Sequence, residues 1–220
     1  MKLAIFDGDG VVWKFNADYS SSWHLARELL DSLDKKRWDL ERRIFHKYFD
    51  KKNHEEYKRY ILKQFELIKD KAIPFNFEIP FVSGFEEFSE YISKNKYSKV
   101  LLSGGFWPVI HKASKYFDFI IGNLIKINEG KLNDISVIVT PFSKPNIIKE
   151  ISKDAEEVLI FADVYEYGIF RDKEILSNRK FKIYLINQEE ERRDLNKIIE
   201  KEFYDFEDVL NYFKNNKDEY

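Results

Sequence analysis

Four short apolar runs, each stopping abruptly at glycine or polar residues, constrain the fold of this chain more than any other feature. Leu3-Ala4-Ile5-Phe6 ends in Asp7-Gly8-Asp9-Gly10, and Lys99-Val100-Leu101-Leu102 ends in Ser103-Gly104-Gly105. Val158-Leu159-Ile160-Phe161 leads into Ala162-Asp163, and Lys182-Ile183-Tyr184-Leu185-Ile186 leads into Asn187. Runs of this length bounded by turn residues read as strands buried on both faces. Amphipathic stretches of helical length lie among them, from Phe85 to Lys94, Pro108 to Tyr116 and Asn146 to Lys153. Strands alternating with helices predict an α/β fold, a Rossmann-like three-layer parallel sheet core.

Two segments break the alternation. From about Asn16 to Lys71 the chain reads as helical, with apolar residues at three- and four-residue spacing (Trp23, Ala26, Leu29, Leu30, Leu33; then Tyr57, Tyr60, Ile61, Phe65, Ile68). Ser20-Ser21-Ser22 offers hydroxyls to cap its first helix, and the Pro74 to Pro80 stretch ends the block. The second segment, Ile121 to Val139, alternates around Glu129-Gly130 and reads as a β-hairpin. The expected organisation is therefore a discontinuous core domain, 1–15 and 78–220, with residues 16–77 inserted as a helical unit. The tail from Lys214 to Tyr220 is expected to fray.

Composition narrows the function classes. Lys and Arg number 37 against 39 Asp and Glu, a formal charge of -2. Such balance does not suit a nucleic-acid binder acting through bulk positive charge. No apolar run approaches the roughly 20 residues that span a bilayer, and the N-terminal residues do not resemble a signal peptide. With no cysteine, thiolate catalysis, disulfides and Cys-based metal sites are absent. A cytoplasmic location is expected, as a monomer or homodimer, with neither nucleic acid nor membrane as partner.

Ligands of open parallel sheets bind beyond the carboxyl ends of the strands, and three of the four runs end there in reactive residues. In Asp7-Gly8-Asp9-Gly10 two acids stand two residues apart, either as a plain turn or as a carboxylate pair. Such a pair suits attack on a phosphate ester, one carboxylate as nucleophile and the other moving the proton of the leaving oxygen. Ser103-Gly104-Gly105 can offer a hydroxyl and unhindered backbone N–H groups to an anion, or serve only as a strand-to-helix turn. Lys144 stands at a helix start before Pro145, either a surface lysine or a point charge for phosphate. Asp163 supplies a turn carboxylate or a hard oxygen ligand for Mg2+.

Taken together and in this order, these motifs resemble the haloacid dehalogenase superfamily of hydrolases over essentially the whole chain. The segments Leu102 to Phe106 and Gly122-Asn123-Leu124 through Glu129-Gly130-Lys131-Leu132 resemble its phosphoserine phosphatase branch. The resemblance implies Asp7 as nucleophile, Asp9 as general acid and base, and Ser103, Gly104, Gly105 and Lys144 as the phosphoryl-binding group. It also implies Mg2+ held by Asp7, the backbone carbonyl of Asp9, and Asp163, with residues 16–77 as a cap selecting a small phosphorylated metabolite. The last motif departs from the family pattern. Ala162 replaces a glycine, and Tyr167 and Gly168 stand where a further acid is usual, leaving Glu166 as a neighbouring carboxylate. The expected activity is Mg2+-dependent phosphate monoester hydrolysis; the rivals are phosphoryl transfer to another acceptor, or a silent relative that binds a phosphorylated ligand or a partner.

Other features take plainer readings. His24, His46, His54 and His111 lack metal-site spacing, and Lys35-Lys36-Arg37 and Glu189 to Arg193 read as solvated helix faces. Arg42, Arg43 and Arg59 are substrate-binding candidates by charge alone. Cap aromatics such as Trp38 line either a helix-bundle core or a substrate pocket.

Overall fold

The computed structural model describes residues 1–14, 21–47, 53–73, 80–163, 168–186 and 199–216. Its elements in chain order begin with β1 (Lys2–Phe6), α1 (Trp23–Arg27), α2 (Ser32–His46), α3 (His54–Ile68), α4 (Phe85–Lys94) and β2 (Tyr97–Ser103). There follow α5 (Trp107–Lys112), β3 (Phe119–Gly122), β4 (Leu124–Asn128), β5 (Lys131–Val137), α6 (Lys144–Ile151) and β6 (Glu157–Ala162). The chain continues with α7 (Lys173–Ser177), β7 (Phe181–Ile186), β8 (Lys201–Phe203) and α8 (Phe206–Asn215).

Six strands form one sheet in the order β3-β2-β1-β6-β7-β8, all paired in parallel. The first strand is central, and the chain builds outward on one side before crossing to the other. The strand order therefore switches at β1, which is where open α/β sheets place their ligands. Register brings Phe6 level with Leu101 and Phe161. Asp7, Ser103 and Asp163 consequently leave the sheet within two residues of one another's level.

Alternation along β1 sends Ala4 and Phe6 to one face and Leu3 and Ile5 to the other. The first face is largely aromatic. Phe6 stacks on Phe161 at 4.8 Å and meets Phe85, Phe88 and Phe206 of α4 and α8. The second face is aliphatic, with Ile5, Leu102, Ile160 and Leu185 packed with Ile148 and Ile175 of α6 and α7. Ring geometry of this kind adds to area burial, so each face gives β1 little freedom to shift.

Several expectations are corrected in detail. The predicted helix 108–116 stops at Lys112, and Ser114–Tyr116 forms a separate 3₁₀ turn. Ile121 and Gly122 belong to the sheet as β3, so the hairpin proper is β4 and β5. The helical segment is interrupted between α1 and α2, where Asp31 caps α2 through the Leu33 and Asp34 amides. Lys214 lies within α8 rather than in a frayed tail. Asn16 to Ser20, residues 74–79, Glu166, Tyr167, Asn187, Glu189 to Arg193 and residues 217–220 lie outside the described residues. No described helix is long and apolar enough to cross a membrane.

Helix α3 faces inward through Ile61, Gln64, Phe65 and Ile68. Gln64 is 1% exposed, and neither of its amide atoms has a hydrogen-bond partner among the described residues. A buried amide left in this condition costs about 1–3 kcal/mol. Gln64→Leu is therefore expected to raise the melting temperature, and an unchanged or lower one would show that the amide is satisfied.

Candidate active site

Asp7 follows β1 directly, and its N–H still pairs with the Phe161 carbonyl at 2.9 Å, extending the β1–β6 ladder past the strand. The chain then folds back tightly: the N–H groups of Val11, Val12 and Trp13 all donate to the Gly8 carbonyl. Gly8 is required by this close approach, because a Cβ would lie 2.5 Å from Ser103 Oγ and from the Trp13 ring. Gly10 has φ +81°, and a Cβ there would lie 2.8 Å from Asp163 Oδ2. Asp163 thus stands against the loop carrying both acids.

Lys144 begins α6, whose entry is fixed by reciprocal bonds between Thr140 and Ser143. Its side chain is 3% exposed, and Nζ lies 2.6 Å from Asp7 Oδ1, a carboxylate with 10% of its side chain exposed. The Gly8 N–H also donates to Oδ1, at 2.7 Å. Among the described residues, both hydrogen bonds to the Asp7 carboxylate therefore fall on the same oxygen.

Asp9 is enclosed differently. Trp13 Nε1 and the Ser22 N–H donate to its Oδ1 at 2.5 and 2.9 Å, and the Ser22 hydroxyl donates to Oδ2 at 3.0 Å. Burial of the carboxylate pushes its pKa up to about 6, overcoming the hydrogen bonds that favour the charged form; nearby Asp7 adds to the rise. An acid so placed carries a proton at a pH where a solvated aspartate does not.

The third loop follows β2. Ser103 is buried, and its Oγ accepts the Gly105 N–H at 3.1 Å, which keeps the hydroxyl proton available to a ligand oxygen. The Gly104 carbonyl accepts from Trp23 Nε1 at 2.9 Å and from Asn123 Nδ2 at 2.6 Å, while Asn123 Oδ1 accepts the Val139 N–H. The Gly105 N–H, expected to face a bound phosphoryl group, is thus engaged by Ser103. A Cβ on Gly105 would lie 2.5 Å from Ser22 Oγ and 3.4 Å from Asp9 Oδ2, so this loop abuts the second acid.

Of the predicted site residues, Lys144 contacts Asp7, Asp163 stands against Gly10, and Ser103 and Gly105 abut Gly8 and Asp9, while Gly104 is held by Trp23 and Asn123. Sequence reasoning missed Trp13, Ser22 and Asn123. The Ser22 hydroxyl does not cap its helix as expected; α1 has no side-chain cap, and the hydroxyl serves Asp9. Trp38 is buried against Trp23 in the interior of the helical segment. Arg42 contacts His24 and Arg43 donates to the Asp39 carbonyl, while Arg59 lines a separate surface cleft with Glu41, Phe45 and Tyr60.

His24 is buried, its Nδ1–H directed at the Ser21 carbonyl and its Nε2 facing Arg42. Burial, then the Arg42 charge, lowers its pKa from 6.5 to about 4. Between those values the unfolded chain binds a proton that the folded chain excludes, so this contribution to stability declines as pH falls. Asp9 acts in the opposite sense below about 6, which is why a comparison of variants is needed. His24→Asn is expected to lose less melting temperature between pH 7 and 5 than the parent; an equal loss contradicts this reading.

Among the described residues no three His, Cys, Asp or Glu side chains cluster as a metal cage. The Asp163 carboxylate stands against Gly10, on the loop that carries Asp7 and Asp9. Hard oxygen donors of this kind suit Mg2+, which retains waters and takes further oxygens from a phosphate.

No family model and no curated protein matches the sequence. Solved structures do match. A phosphoserine phosphatase bound to substrate aligns with a TM-score of 0.66 at 18% identity, over 96% of this chain and 97% of that one. A phospho-aspartyl intermediate analogue of phosphoserine phosphatase aligns at 0.65 and 18%, over 96% and 98%. A HAD family hydrolase from Salmonella enterica serovar Typhi aligns at 0.70 and 13%, over 95% and 70%. The chain shares its fold with these phosphoserine phosphatases and with the HAD family hydrolase.

Proposed function

We propose that the chain is a Mg2+-dependent phosphatase that hydrolyses a small phosphorylated metabolite through an aspartyl-phosphate on Asp7. The observation that carries this reading is the nearly buried Lys144–Asp7 pair at 2.6 Å, with Asp9 two residues away and held by three hydrogen bonds. An ion pair enclosed to this degree is a poor stability device. It is a good way to hold a carboxylate oriented and a cation aimed at incoming phosphate.

In this reading Asp7 attacks phosphorus in line, while Asp9 passes its proton to the departing oxygen. Lys144 and the Ser103 hydroxyl hold phosphoryl oxygens, with the Gly104–Gly105 backbone allowing close approach. Asp9 then takes a proton from the water that cleaves the aspartyl-phosphate, regenerating both acids. Mg2+, held by Asp7, the Asp9 carbonyl and Asp163, would supply charge neutralisation of the phosphate.

Residues 16–77 would act as the cap that selects the substrate, in a cytoplasmic monomer or homodimer. The fold neighbours make phosphoserine the first compound to assay, within a panel of phosphorylated amino acids, sugars and nucleotides. Phosphate release should require Mg2+ and stop on chelation. Release that persists unchanged after complete chelation would contradict the metal assignment.

A further inference from the structure

We infer that Ser22 is a positioning residue for Asp9, and that it ties proton transfer to the seating of α1 on the phosphoryl-binding loop. The inference rests on the reading of Asp9 as the acid. Ser22 is fully buried, thirteen residues beyond Asp9, and among the described residues it makes two of the three hydrogen bonds to that carboxylate. Its Oγ also accepts the Phe106 N–H at 2.8 Å. With its acceptor side so engaged, the hydroxyl's single proton is directed to Asp9 Oδ2.

The bonds distinguish the two oxygens of Asp9. Among the described residues, Oδ1 accepts from Trp13 and from the Ser22 N–H, and Oδ2 accepts from the Ser22 hydroxyl. Oδ2 is also the oxygen nearest the position a Gly105 Cβ would occupy. Oδ2 is therefore the oxygen placed to exchange a proton with the leaving group, and the Ser22 hydroxyl fixes its direction. Trp23, the next residue, donates to the Gly104 carbonyl and packs its ring 5.5 Å from Phe106. Withdrawing α1 from the loop would break the Phe106 and Gly104 bonds and release the Asp9 carboxyl to rotate. A serine present only for the helix would cap it, and this hydroxyl does not.

The step at issue forms the Asp7–phosphorus bond and breaks the bond from phosphorus to the leaving oxygen, which receives the Asp9 proton. An ester with a good leaving group needs that proton little, and one with a poor leaving group needs it greatly. The test compares 4-nitrophenyl phosphate with phenyl phosphate, with Mg2+, for the parent chain, Ser22→Ala and Ser22→Thr. Ser22→Ala should lower kcat about 100-fold on phenyl phosphate and less than about 10-fold on the nitrophenyl ester, with KM unchanged. Ser22→Thr, which retains the hydroxyl, should restore most of the loss. Ser22→Cys, which keeps nearly the same side-chain size but replaces the hydroxyl with a weak thiol donor, is the second variant and should show the same selectivity if Ser22→Ala does not fold. Equal losses on both esters, or a loss carried in KM, would overturn the inference while leaving the proposed function standing. A parent chain inactive on both esters would overturn the proposed function and this inference with it.

Discussion

Asp7→Asn is expected to cut phosphate release by roughly four orders of magnitude or more, the scale seen when a covalent nucleophile is removed from a catalytic unit. The substitution is nearly isosteric. An asparagine Oδ1 can still accept from Gly8 N–H and Lys144 Nζ, the two donors now on Asp7 Oδ1. What it lacks is the negative charge that attacks phosphorus and opposes Lys144. Leaving the buried Lys144 without its counter-charge lowers stability, so activity is compared on protein that circular dichroism shows to be folded, where the loss is chemical. Substantial turnover by folded Asp7→Asn would remove the covalent mechanism.

Lys144→Met carries the next largest effect, because it strikes stability and catalysis together. Asp7 would keep its carboxylate, little exposed to water, with the Gly8 N–H as its remaining hydrogen-bond donor among those described. Breaking one side of a buried pair costs about 3–5 kcal/mol, since the remaining charge is left uncompensated. Loss of the cation from the phosphoryl site should also lower kcat by about 100- to 1000-fold. The double variant Asp7→Asn with Lys144→Met should recover much of the stability and none of the activity. Denaturant melts of the four proteins give the coupling directly; additive losses in the double variant would show that the pair is not coupled.

Much of the fold was legible because burial imposes a pattern. A strand covered on both faces must carry a continuous apolar run, and β1, β2, β6 and β7 each do, with Lys2, Lys99, Glu157 and Lys182 confined to their starts. The edge strand β8 escaped notice because Lys201 and Glu202 are exposed and only Phe203 is buried, leaving no run to detect. Strand β3 was absorbed into the hairpin because Ile120 and Ile121 continue into its alternation. Helix α8 did leave a signal: Asp205 as a cap, and Phe206, Val209 and Phe213 at helical spacing.

The candidate site was legible to the extent that strand ends carry it. Asp7, Ser103 and Asp163 could be placed together from parallel register alone, and Lys144 from its helix start. Trp13, Ser22 and Asn123 could not, because what they do depends on the path of the chain between elements. The serine triplet before α1 carries a strong local meaning as a cap, and only the tertiary fold redirects Ser22 to Asp9. Asn123 reads as a turn residue, yet it is fully buried and clamps the Gly104 and Gly105 carbonyls.

The most direct test of the central claim is to trap the covalent intermediate. The protein would be mixed with Mg2+ and a turned-over phosphate ester, quenched in acid, reduced with borohydride, and its peptides sequenced by mass spectrometry. An acyl phosphate on Asp7 is reduced to homoserine, so homoserine is expected at position 7 and unchanged aspartate at position 9. Homoserine at another position, or a phosphate-releasing protein whose Asp7 is never converted, would contradict it.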